Sequence, residues 1–264
     1  MIQQFYISTT ALSAYQKMMI NITNDVSNAQ TPGYKGSRVE LEALFPGILE
    51  EEMVNSQENS EKKDVYYGAG VKIADVIRDF RQGRVEITGK PLDVAINGDG
   101  FLQFRLPDGS VGFGRAGNLQ KDRNGYLTDP NGNLLDPPIR IPSGTIGITI
   151  DQSGRVFTQQ TQGVAASNEV GQIMLARFDN PNALQSIGQN LYLATSLSGQ
   201  ARSFMPSNNG MGIIQQNALE LSNVNVVNEM MKMVIVQRSF SLAAKAISAG
   251  EDMLKAAEDI AKGS

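Results

Sequence analysis

Two apolar series, one near each end of the chain, repeat with alternating spacings of three and four residues, and each demands a helix that packs along one seam. At the N-terminal end the series is Leu12, Tyr15, Met19, Ile22, Val26 and Ala29, with Phe5 seven residues ahead of Leu12. Pro32 disfavours helix at Thr31 and Gly33 supplies a flexible exit, so residues 1–33 are expected to hold the N-terminal helix. At the C-terminal end Val226, Met230, Met233, Phe240, Ala244, Ile247 and Leu254 keep the same alternation, with Gln237 and Glu251 in two of its slots. No proline interrupts residues 211–264, which predicts a long helix over about 223–261.

Between these ends the pattern changes from helical to extended. From about residue 65 to 215, short runs rich in Val, Ile, Phe and Leu are separated by turn dipeptides such as Asp108-Gly109, Asn124-Gly125, Asn131-Gly132 and Ser153-Gly154. The expected fold class is α+β, a β-rich central domain inserted between terminal helices that pair as a coiled coil in an assembly. In domain terms this places an extended linker at 34–90, a β-rich outer domain at 91–210, and the C-terminal helix within 211–264. Residues 46–64 have little periodicity and alternate acidic with basic blocks, which fits either an exposed loop or an interaction arm.

The composition narrows the chemistry. The 264 residues are 41% hydrophobic and 19% charged, enough for a substantial core. A net charge of −4, with no basic run longer than Lys62-Lys63, argues against nucleic acid as a partner. No apolar stretch approaches the roughly 18 residues of a membrane span. The first residues lack a basic segment ahead of an unbroken apolar one, so no cleaved secretory signal is expected. Cysteine and histidine are absent, which removes cysteine nucleophiles, Ser-His pairs, thiolate and imidazole metal ligands and disulfides.

Motifs that match a chemical pattern fail on context. The run Gly112–Gly117, "GFGRAG", fits G-x-G-x-x-G but is followed by a strand and a turn rather than by the helix a pyrophosphate site requires. The stretch from Asp122 to Asn133 resembles a calcium loop, yet Gly125 falls at the fourth place instead of the sixth and no glutamate closes it. Ser60–Lys63 matches S-x-x-K inside the charged segment, and Glu50, Glu51 and Glu52 are simply adjacent. No catalytic, cofactor-binding or metal-binding residue is expected, and no cofactor.

The helices themselves ask for partners. A lone helix of some 20 residues is marginal in water, and burying each large seam residue contributes roughly 1.5–3 kcal/mol before side-chain ordering. Val227, Met231, Val234, Val236 and Ala243 lie outside the main C-terminal seam and need a further surface. On the N-terminal helix Asn21, Asn24, Asp25 and Asn28 form one polar stripe, although Asn and Asp disfavour helix by up to about 0.7 kcal/mol relative to Ala. Short side chains that donate and accept hydrogen bonds suit a face packed against neighbouring subunits. The expected assembly interface is therefore Leu12, Tyr15, Met19, Ile22 and Val26, the stripe Asn21, Asn24, Asp25 and Asn28, and Val226, Met230, Met233, Gln237, Phe240, Ala244, Ile247 and Leu254.

These residues resemble a family. Asn28, Thr31, Gly33, Tyr34 and Lys35 match the Asn-x-x-Thr-x-Gly-Tyr-Lys close of the N-terminal signature of bacterial flagellar rod and hook proteins. Leu219–Leu254 resembles their C-terminal signature, with Ser222-Asn223-Val224, Glu229-Met230, Gln237-Arg238, Lys245 and Asp252-Met253-Leu254 in register. "PLDVAINGDGFLQF", "GRAGNLQKDRNGYLTD" and "SIGQNLYLATSLSG" are similar to segments of the distal-rod branch. The resemblance implies a structural subunit that assembles helically into the periplasmic drive shaft between motor and hook. It implies as partners further copies of itself, other rod proteins, the hook protein, the surrounding L- and P-ring proteins and the flagellar type III export apparatus. Segment 46–64 would then be an axial contact. A proximal rod or hook-type axial subunit is the alternative within the family, and a non-polymerising binding module the alternative outside it.

Overall fold

Helix α1 (Ile2–Ser27) stops before Pro32, where turn-forming residues take over: the Thr31 amide donates to the Asn28 carbonyl (3.0 Å) and the Tyr34 amide to the Thr31 carbonyl (3.2 Å). The structure, a computed structural model, describes residues 2–45, 47–52, 62–160 and 168–262. It is α+β, with a helix at each end and a β-rich middle, and its contacts divide it into two compact units.

The first unit comprises residues 1–26, 37–77 and 226–264. Besides α1 it contains β1 (Ser37–Ala43), β2 (Gly47–Glu52), β3 (Lys62–Tyr67), β4 (Val71–Arg78, which it shares with the second unit at its last residue) and α2 (Val226–Lys262). Strand β1 pairs with β4, and β2 pairs antiparallel with β3 in a register that sets Glu51 opposite Lys63 and Glu52 opposite Lys62. The charged segment 46–64 thus contributes to a hairpin; its residues 46 and 53–61 lie outside the described residues. Gly250 of α2 lies against the Phe5 ring of α1, where an added methyl group would stand 3.2 Å from Cζ. The start of α1 therefore meets the C-terminal part of α2.

The second unit comprises residues 27–36 and 78–225. Its strands are β5 (Val85–Ile87), β6 (Val94–Asn97), β7 (Phe101–Arg105), β8 (Val111–Gly114), β9 (Gln120–Lys121), β10 (Leu127–Thr128), β11 (Leu134–Leu135), β12 (Gly147–Ile150) and β13 (Arg155–Gln159). They continue with β14 (Asn168–Gln172), β15 (Leu175–Arg177), β16 (Gln185–Gly188), β17 (Leu191–Leu193), β18 (Arg202–Phe204), β19 (Ile213–Gln216) and β20 (Ala218–Glu220). A nine-stranded sheet runs β16-β17-β8-β7-β11-β10-β9, with β15 joined to β7 and β18 to β15; β12, β13 and β14 form a second sheet. Residues 211–225, placed with the C-terminal helix from sequence, instead include β19 and β20, which pair with β6 and β5. The stretch 78–90, read as linker, supplies β5 and belongs to this unit.

Strand β7 is buried on both faces, which places its alternate side chains in different cores. Leu102 and Phe104 join a large aliphatic cluster with Val94, Ile96, Leu127, Ile139, Val156, Ile173 and Ile214. Phe101 points into an aromatic one with Phe113, Phe178, Leu184 and Tyr192, where rings meet edge to face, as Phe113 and Phe178 do at 4.8 Å. The predicted turns share one device: Asp122, Asp129 and Asp151 each accept through their backbone carbonyl from the glycine three residues on and through a carboxylate oxygen from the amide four residues on. The aspartates that suggested a calcium loop are thereby engaged by their own turns. Gly112–Gly117 begins in β8 and continues into a connection, with no helix opening there.

Candidate assembly surface

Helix α2 has two apolar faces. Glu229, Met233, Val236, Phe240, Ala243, Ile247 and Gly250, spaced alternately four and three apart, form a less exposed line that Ser239 flanks, and Val236 is 5% exposed. Of the expected C-terminal interface residues, Met233, Phe240 and Ile247 lie on this inward line, whereas Val226, Met230, Gln237, Ala244 and Leu254 are exposed. The seam read from sequence is thus shifted at every second position. The reason is that residues seven apart belong to both possible stripes, while the intermediate slots mix polar and apolar residues in each: Met230, Gln237, Ala244 and Glu251 in one, Glu229, Val236, Ala243 and Gly250 in the other. Val227, Met230, Met231, Val234, Ile235 and Leu242 are exposed on the other side of the helix; at about 100° per residue they centre nearly opposite the inward line. On α1, Ile22 is buried and Leu12, Tyr15, Met19 and Val26 are half-buried.

The amide stripe has an internal task that the sequence reading missed. Asn21 Nδ2 donates to the Ser37 carbonyl (2.7 Å), the Ser37 hydroxyl donates to Asn21 Oδ1 (2.8 Å), and the Ser37 amide donates to both oxygens of Asp25 (3.1 and 3.3 Å). Asn21 and Asp25, one helical turn apart, therefore fasten the first residue of β1 to α1, and Asp25 is buried by doing so. Asn28 accepts from the Thr31 hydroxyl (3.2 Å) and Asn24 is exposed. A stripe expected to face neighbours as a whole is engaged within its own chain at Asn21, Asp25 and Asn28.

In the second unit the two terminal signatures meet. Gly33 has φ +68°, and a side chain there would run into the Ala116 backbone, so only glycine fits while its amide donates to the Glu220 carbonyl (2.8 Å). Two residues on, the Lys35 ammonium donates to Glu220 Oε1 and to the Arg81 carbonyl (2.8 Å), with neither charged side chain exposed. Arg115 approaches the other oxygen of Glu220 (3.3 Å) and donates to the Gly98 carbonyl (2.9 Å), and the Gly83 amide also donates to Glu220 (2.9 Å). Asn223 accepts from the Gly36 amide (2.9 Å) and donates to the Asp79 and Arg81 carbonyls. The Arg78 guanidinium lies over the rings of Tyr34 and Tyr192. Burial pushes the Lys35 ammonium below the ordinary lysine value, against the pull of Glu220, and pushes the Tyr192 phenol up.

Glu220 and Arg115 are residues that sequence reasoning did not single out, and Asn223 entered it only as part of the C-terminal signature. Glu220 carried a signal nonetheless, a lone charge in the otherwise apolar run from Ala218 to Leu221. The arrangement does no chemistry on a substrate. It fixes the loop after α1, strand β20 and the loop after β8 to one buried carboxylate.

Relatives place these features. A family model described as "Flagellar hook protein FlgE/F/G D1 domain" matches residues 95–158, and one described as "Flagellar basal body rod FlgEFG protein C-terminal" matches residues 215–260. The flagellar basal-body rod protein FlgG of Buchnera aphidicola subsp. Acyrthosiphon pisum is 38% identical over 97% of this chain and 98% of its own length. FlgG of Borreliella burgdorferi is 35% identical and that of Caulobacter vibrioides 34%, each over 98% of this chain and 99% of its own length. The chain belongs to the FlgG family of flagellar basal-body rod proteins. It is a structural subunit of the distal rod and a basal-body component, not an enzyme. The C-terminal FlgE/F/G match takes in Glu220, Asn223 and both faces of α2, and the D1 match takes in Arg115. No helix among the described residues is long and apolar enough to cross a membrane.

Proposed function

We propose that this FlgG-family subunit polymerises helically through α1 and α2, which pair as a coiled coil in the assembly, into the shaft that carries motor torque to the hook. The observation that carries the reading is the second face of α2. Six large apolar side chains stay in water in a single chain, where covering each contributes roughly 1.5–3 kcal/mol. A helical array of identical copies covers them without any new sequence, because each subunit offers its neighbours the surface it lacks itself. Asn24 and the exposed seam positions Val226, Met230, Gln237, Ala244 and Leu254 belong to the same contact. Other rod proteins and the hook protein meet the ends of the polymer, the L- and P-ring proteins surround it, the type III apparatus exports the subunit, and segment 46–64 serves as an axial contact.

The test is a chain carrying Met231→Lys and Val234→Lys. Electron microscopy should find no filaments at concentrations where the parent chain forms them, while circular dichroism retains the β signal of the second unit. Filaments of normal length and yield would overturn the proposal, and a chain that never forms filaments before substitution would favour a binding module that contacts its partners once.

A further inference from the structure

Four Asn-Gly pairs occur in the chain: Asn97-Gly98, Asn124-Gly125, Asn131-Gly132 and Asn209-Gly210. In each the asparagine is exposed and the glycine has a positive φ, so neither accessibility nor glycine conformation separates them. The glycine amide does. Gly98 donates to Gln82 Oε1 (3.0 Å), Gly125 to the Asp122 carbonyl (3.1 Å) and Gly132 to the Asp129 carbonyl (3.1 Å). Among the described residues, the Gly210 amide donates to nothing.

We propose that Asn209 is the chain's preferential site of spontaneous deamidation. The reaction begins when the nitrogen of the following glycine, having lost its proton, attacks the asparagine Cγ. The N–Cγ bond forms, the Cγ–Nδ2 bond breaks and ammonia leaves. Water then adds across the five-membered imide and opens it to aspartate or isoaspartate. An amide held in a hydrogen bond keeps its proton and its orientation until that bond opens, so three of the four pairs carry an additional barrier that Asn209-Gly210 lacks. The surrounding loop is itself held in an uncommon conformation, with Ser207 at φ +67° and Asn209 at φ +53°, both non-glycine residues in the left-handed region. The Arg177 guanidinium donates to the Asn209 backbone carbonyl (3.4 Å).

The full-length chain, aged at mildly alkaline pH and mapped by peptide mass spectrometry, should show conversion at Asn209 about fivefold faster than at Asn97, Asn124 or Asn131, the factor that one net hydrogen bond represents. Replacing exposed Gln82 with Met removes the acceptor of the Gly98 amide and should raise conversion at Asn97 toward that of Asn209. Equal rates at all four pairs, or a Gln82→Met chain in which Asn97 is no faster, would overturn the assignment.

Discussion

Lys35 and Glu220, 185 residues apart in sequence, form an ion pair in which neither side chain reaches solvent. The same carboxylate faces a second buried cation, Arg115, so Glu220 is the shared counterion of two positive charges. Glu220→Gln keeps the shape and removes the charge, leaving both cations uncompensated in a medium that solvates them poorly. Breaking a buried pair in this way costs roughly 3–5 kcal/mol. Urea denaturation followed by circular dichroism should show the β-unit transition moving to much lower urea, and an unmoved midpoint would mean that Lys35 and Arg115 do not depend on Glu220.

The same pair gives the second unit a pH signature. Folding lowers the proton affinity of Lys35, so between its depressed value and the ordinary 10.5 the unfolded chain holds the proton more tightly and stability rises with pH. Tyr192 works in the opposite sense: with its folded value raised above 10.0, the unfolded tyrosine ionises first and stability falls above that pH. Denaturation across an alkaline series should show a climb and then a decline. Lys35→Met should remove the climb and keep the decline; a profile that Lys35→Met leaves unaltered would assign the pH dependence to other groups.

Much of this architecture was legible because it rests on local periodicity. The three-four alternation from Leu12 to Val26 marks the less exposed side of α1, and each Asp-x-x-Gly turn was visible as a dipeptide between apolar runs. What escaped depends on long-range geometry. Nothing local pairs Lys35 with a glutamate at position 220, nor tells Asn21 and Asp25 apart from Asn24, because that distinction is made by where Ser37 arrives. The phase of the α2 seam was ambiguous for a different reason. Met233, Phe240 and Ile247 satisfy two stripes at once, and only packing chooses the one that runs through Val236.

The fastening of Ser37 to α1 can be tested apart from assembly. Asp25→Ala deletes an acceptor of charge-assisted hydrogen bonds to the Ser37 amide, an interaction worth about 1.5–3 kcal/mol. The Ser37 amide should exchange with solvent markedly faster, while amides of β7 in the other unit keep their protection. Asn24→Ala, at an exposed position of the same stripe, should leave Ser37 exchange unchanged. Equal effects from the two substitutions would mean that the stripe acts as one surface after all.

Val234 and Val236 sit two positions apart on α2, roughly 200° around the helix, and the residue type is the same at both. Val236 is 5% exposed and Val234 49% exposed, so truncating each to alanine probes one face with the chemistry held constant. Val236→Ala removes buried methyl groups and should destabilise the monomer by about 1–3 kcal/mol. Val234→Ala should change monomer stability by no more than about 0.5 kcal/mol, as an exposed position does, because its methyl groups lose nothing they had buried. In polymerisation the order should reverse once monomer stability is accounted for. The critical concentration should rise for Val234→Ala, since the methyl groups removed are those a neighbouring copy would cover, and should change little for Val236→Ala. Sedimentation of filaments against total concentration measures it, and a critical concentration raised by Val236→Ala alone would show that the exposed face takes no part in assembly.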